Sequence, residues 1–140
     1  MMNWFKTYSP KIKESMEYLE LFYILKGLSN ITPIMTDSVY RIPADPHDII
    51  SRCPKSKFSK YKADENDCDD RVRIFRGWMS EKGHGNVLAM DCKIVVPGTG
   101  SGTGSHAVIA FLHQGKIIFG EPKLGKIVEY PRAKIKRIIA

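Results

Sequence analysis

No apolar run in this chain approaches the roughly 18 to 20 residues that cross a bilayer, so no transmembrane helix is expected. No secretory leader is expected either. Acidic residues interrupt the apolar stretch of MMNWFKTYSPKIKESMEYLELFYILKG, and no short-residue cleavage site follows it. Cysteine is scarce, with three in 140 residues, an odd number that cannot pair completely. Free thiols at Cys53, Cys68 and Cys92 in a cytoplasmic setting are therefore expected rather than a disulfide framework, and the three lack the spacing of a zinc site. PGTGSGTGS, from Pro97 to Ser105, lacks the Lys and Ser/Thr ending of a phosphate-binding loop, precedes a strand, and misses the spacing of a serine nucleophile elbow. A flexible connector is the expectation there.

What is present describes a globular chain. Hydrophobic residues make up 43%, and the length suits one domain around one core. The formal charge is +7, densest in the tail KLGKIVEYPRAKIKRIIA. Such a charge permits an anionic partner. No basic helix interleaved with aromatics accompanies it, so nucleic acid is not the expected main partner.

Apolar residues Ile12, Met16, Leu19, Phe22 and Tyr23 recur at three- and four-residue intervals and predict an amphipathic helix from Lys11 to Leu28, with Gly27 as its stop. Three prolines make TPIMTDSVYRIPADPHD extended or looped, and DPHDIISRCP then reads as a short helix ending before Pro54. A second long helix is expected from about Asp67 to Met79, closed by Gly83 and Gly85. NVLAMDCKIVV, SHAVIAFLH, KIIFGEP, KIVEY and AKIKRII then read as an antiparallel sheet, with tight connections at LHQGKII and PKLGKIV. The expected fold class is α+β, with residues 1–60 forming a helical and loop segment of the same domain and residues 61–140 its core. Phe75, Trp78 and Phe111 are candidate core residues, and His47, His84 and His113 candidate surface residues.

The stretch DENDCDDRVRIFRGW, Asp64 to Trp78, places Cys68 among five carboxylates at a helix start. Asp67 suits an N-cap, and Asp69 and Asp70 oppose the macrodipole. Capping leaves the cysteine unexplained. Unpaired N–H groups at a helix start favour a thiolate, while the carboxylates oppose one, so a cation or imidazolium is called for. His106 opens the strand SHAVIAFLH, and Glu121 ends the next strand. A nucleophile on a helix start, a base on one strand and a carboxylate on the next is the logic of a cysteine, histidine and acid triad.

The order YKADENDCDDRV, SHAVIAF and FGEPKLGKI resembles the papain-like, transglutaminase-like cysteine protease domain of the Marasmius oreades agglutinin type and its small phage relatives. Their pattern reads approximately Y-x-P-E-x-x-D-C-D-D-F-A, then H-A, then E-P. Tyr61 and Asp67 to Asp70 keep it, as do His106 with Ala107 and Glu121 with Pro122. Ala63, Asp64, Arg71 and Val72 depart from it, and Arg71 is expected to face solvent or an anionic partner. Lectin repeats are absent, so the sugar-binding half of the agglutinin is not transferred.

The resemblance implies a small papain-like cysteine hydrolase or acyl transferase on peptide or isopeptide bonds, phage-encoded or virus-associated, with Cys68, His106 and Glu121 as the triad. The Cys68 amide and Asn66 are the candidate oxyanion donors. The resemblance also implies calcium dependence, for which Asp69 and Asp70 are the candidate ligands, without any organic cofactor. The alternative is a catalytically silent relative, a basic binding module for a protein, cell-wall or nucleic-acid partner.

Overall fold

The computed structural model describes residues 8–58, 68–97 and 105–140. Its first element is a strand. β1 (Ile12–Glu17) pairs antiparallel with β2 (Val39–Pro43), Met16 opposite Tyr40 and Ile12 opposite Pro43. A helix was expected over these residues. The four-residue spacing of Ile12 and Met16 fits one side of a helix and also a regular strand; the partner strand decides for the strand, and a register shift between Ile12 and Glu14 lets Ile12 and Met16 pack against different clusters.

Only from Tyr18 does the chain turn helical, as α1 (Tyr18–Ser29). This helix buries Leu21 and Leu25, whereas Leu19 and Tyr23 of the expected stripe stand 52% and 67% exposed. It continues through Gly27 and ends where Asn30 takes φ 61° and returns its N–H to the Lys26 carbonyl. Asparagine tolerates this left-handed conformation and caps the helix in place of the expected glycine.

α2 (Pro46–Arg52) begins on Asp45, whose side chain accepts from the Asp48 N–H, with Pro46 in the first turn. Then come α3 (Cys68–Glu81), β3 (Met90–Val95), β4 (Ser105–His113), β5 (Lys116–Glu121), β6 (Lys126–Val128) and β7 (Lys134–Ile139). Positive φ at Gln114, Gly115 and Gly125 makes the two tight connections. The last five strands form one antiparallel sheet in the order β6, β5, β4, β3, β7, so the final strand returns to pair with β3. The α+β class is thus the observed one, with the cysteine-bearing helix α3 against β4.

β4 lies at the centre and is buried on both faces, which is why SHAVIAFLH reads as a nearly continuous apolar run. Val108, Ala110 and Leu112 join Leu21, Leu25, Tyr40, Ile42 and Met90 on one side. Ala107, Ile109 and Phe111 join Ile49, Ile50, Phe75 and Trp78 on the other. A single core was expected, and two clusters flank the sheet instead. Cys53 and Cys92 are buried within them.

Candidate functional site

Cys68 is the first residue of α3, half-buried, with Asp69 and Asp70 completing the acidic first turn. Pairing between β4 and β5 begins at Ile109 and Gly120. The amide of Ala107 lies beyond that ladder, and it donates to Cys68 Sγ at 3.3 Å. The helix start is thereby fixed beside the first residues of β4, where His106 precedes Ala107.

The same register brings Glu121 to His106. Gly120 opposite Ile109 sets Glu121 across from Val108, so Glu121 and His106 are diagonal neighbours on one face, within reach for long side chains. His106 Nε2 lies 2.9 Å and 3.2 Å from the two Glu121 carboxylate oxygens. With Nε2–H donated to the carboxylate, Nδ1 is the ring nitrogen left open among the described residues. The hydrogen bond to Glu121 raises the His106 pKa, burial opposes it, and the Glu121 charge reinforces it. Arg71 lowers it by like charge and Asp69 raises it.

Tyr130, in the turn after β6, completes the cluster. Its hydroxyl is 3.3 Å from His106 Nε2, and its ring meets the imidazole edge-on at 5.7 Å. Burial first, then the Glu121 charge, pushes its phenol up to about 12. Sequence reasoning missed this residue, because a tyrosine before a proline turn carries no distinguishing signal. Phe119 packs against Tyr130 at 6.2 Å, and the two border a groove of about 500 Å³ with Ile117, Ile127, Val128, Glu129, His47 and His113.

The other candidates divide. Asn66 and Asp67, like Tyr61 and the connector's residues 98–104, lie outside the described residues. Asp69 is 3.7 Å from Lys93 Nζ, and Asp70 pairs with Arg73. Among the described residues no three His, Cys, Asp or Glu side chains converge as a metal site. Calcium takes six to eight oxygens, so these two carboxylates, each facing a cation, do not by themselves fit it. His84, expected at the surface, is half-buried with Nε2 2.7 Å from the Tyr8 carbonyl oxygen. His47 and His113 meet edge to face at 6.3 Å beside the groove.

No protein-family model and no curated protein matches the chain. Solved structures do. PSL1a in complex with E64 superposes with a TM-score of 0.65 at 18% identity over 90% of this chain. Polyporus squamosus lectin bound to the human-type influenza-binding epitope Neu5Acα2-6Galβ1-4GlcNAc superposes with a TM-score of 0.64 at 17% identity, also over 90%. The chain has the fold of part of a lectin chain. It spans about half of each, 50% and 49%.

These matches correct the expected family. The structures found belong to lectins, one of them holding a glycan, rather than to peptidases. Assignment to a cysteine protease or transglutaminase-like family is overturned on that finding, and with it a hydrolase or acyl transferase acting on peptide bonds. The D-C-D-D, H-A and E-P elements describe a constellation of side chains, and such a constellation does not fix a family. No helix among the described residues is long and apolar enough to cross a membrane.

Proposed function

We propose that this chain is a binding module for a carbohydrate ligand, seated in the groove along β5 and β6 with the Cys68, His106, Glu121 and Tyr130 cluster at its polar end. The observation that carries this is the groove wall. Phe119 and Tyr130 offer aromatic surface beside Ile117, Ile127 and Val128, while His113, His47 and Glu129 supply hydrogen-bonding groups along the rim. A sugar presents the complement, an apolar ring face and a hydroxyl-bearing edge. The glycan held by the matching lectin supports this ligand class. A charge of +7 favours an acidic glycan of that kind. Since the sequence has no lectin repeats, the seat is this groove and not a repeat-built pocket.

Titration of the ¹⁵N-labelled protein with Neu5Acα2-6Galβ1-4GlcNAc tests the assignment. Shifts are expected at Phe119, Val128, Tyr130 and His106, and Tyr130→Ala should weaken binding about tenfold, as loss of an aromatic anchor does. No shifts, or shifts confined to the far side of the sheet, would refute it.

The histidine and carboxylate pair favours a second reading, of Cys68 as a reactive thiol within the same site. In it Cys68 is the nucleophile toward a small electrophile, its proton passes to His106 Nδ1, and Glu121 orients the ring with Tyr130 packed edge-on against it. Asn66 as an oxyanion donor belongs to this reading, as does the papain-like description of the fold, without the peptide-bond chemistry. Calcium at Asp69 and Asp70 stays a proposal that their ion pairs disfavour.

A further inference from the structure

A second cavity, of about 390 Å³, opens where the β1–β2 hairpin, α1 and the turn from β4 to β5 meet. Its floor is Met16, Ile24, Ile42 and Leu112, which belong to the core cluster on the side of the sheet away from α3. The floor is apolar yet within reach, since Ile24 is half-buried and Met16 and Leu112 keep 6% and 7% of their surface. Its rim is charged. Lys13 and Glu14 both line the cavity, and both are exposed.

Neighbouring residues of a regular strand point to opposite faces, so one of these two should turn away. A bulge prevents that. Ile12 pairs with Pro43 and Glu14 with Ile42, which leaves Lys13 as an extra residue with no opposite number on β2. Such an insertion re-aims a side chain. Among the described residues neither charge is in an ion pair, with the other or with a third group. A lysine and a glutamate held side by side over an apolar floor complement a molecule that joins a carboxylate, an ammonium and an apolar side chain.

We propose that this cavity binds a free aromatic α-amino acid, its carboxylate at Lys13, its ammonium at Glu14 and its ring on the floor. An aromatic ring suits the floor better than an aliphatic chain, because the Met16 thioether gains from contact with a ring edge. The volume lies within the range of small-molecule pockets. His113 borders both this cavity and the groove along β5 and β6, but the two sites share no other residue. Failure of the amino-acid site therefore leaves the glycan assignment untouched.

Three probes with a common phenyl ring separate the two charges: L-phenylalanine, 3-phenylpropionate, which lacks the ammonium, and phenethylamine, which lacks the carboxylate. Titration of methyl-labelled protein with phenylalanine should give saturable shifts at Ile24, Ile42 and Leu112. The Kd of each analogue should be about fivefold higher, the factor that one ion pair at an exposed rim supplies. Lys13→Gln should abolish the preference over phenethylamine and keep the preference over 3-phenylpropionate, and Glu14→Gln should do the reverse. Both side chains are exposed, so the amide spectra of the variants should otherwise match that of the unmodified protein. Equal affinity for the three probes, or preferences that neither substitution moves, overturns the site. Phenylalanine shifts absent from the three methyl-bearing residues overturn it as well, including the case in which they appear at Phe119 and Tyr130 instead.

Discussion

His106 stands between a carboxylate that favours its charge and a burial that opposes it, and the carboxylate wins. The sign follows for stability. A histidine whose folded pKa lies above the unfolded value near 6.5 contributes fully below that pH, and its contribution is lost as the pH rises through the raised folded value. NMR titration should therefore show the His106 ring titrating above 6.5, with Glu121→Gln lowering the midpoint and flattening the pH dependence of melting in that window. An unmoved midpoint would mean that the pair does not govern the ring. The side chains are 31% and 14% exposed, so solvent screens part of the effect. Cysteine reactivity is a second matter at this scale. Burial pushes the Cys53 thiol to about 11 and Cys92 to about 12. Brief iodoacetamide labelling near neutral pH should thus mark Cys68 first, and peptide mapping that finds Cys68 slowest would end its assignment as a nucleophile. Sequence pattern alone brought forward Cys68, His106 and Glu121, because a thiol at a helix start and two strand-end polar residues stand out from an apolar background. Tyr130 did not stand out, since its role comes from a turn that folds back over the sheet.

Elements were legible in proportion to how local their causes are. Glycine and proline punctuation marked the strands of the large sheet, and Asp45 with Pro46 marked α2. β1 escaped because its partner lies more than twenty residues away, and its i, i+4 apolar spacing fits two periods. Two clusters escaped because β4's run of buried residues does not say that helices cover both faces. Packing between elements yields its own predictions. A Cβ added at Gly120 would come 3.1 Å from Ile50 Cδ1, so α2 sits close on β5 and the Ile50 side chain would have to give way to a methyl group. Gly120→Ala should cost about 1–3 kcal/mol by overpacking. Phe111→Ala, emptying a fully buried site between α3 and the sheet, should cost about 3–5 kcal/mol. Denaturant unfolding measures both, and a neutral Phe111→Ala would show that the second cluster is not packed as described.

At the scale of the molecule, the sheet closes with charged residues at its β7 edge, where Lys134 and Lys136 are exposed and discourage pairing with another chain. The basic tail is thus part of the sheet. Calcium tests how the acidic block at the head of α3 is used. With Asp69 facing Lys93 and Asp70 facing Arg73, millimolar calcium is expected to leave the melting temperature unchanged, since a ligand raises it only by binding the native state. A rise that disappears when both aspartates are replaced by asparagine would reveal a site completed by ligands outside the described residues. The central claim is that a glycan occupies the groove whose polar end is Cys68, His106, Glu121 and Tyr130. Protection of Cys68 from alkylation tests it most directly. Saturating Neu5Acα2-6Galβ1-4GlcNAc should slow iodoacetamide labelling of Cys68, and this protection should be lost in Tyr130→Ala. Labelling at the same rate with and without the glycan, in a protein shown to bind it, would place the sugar elsewhere and contradict the claim.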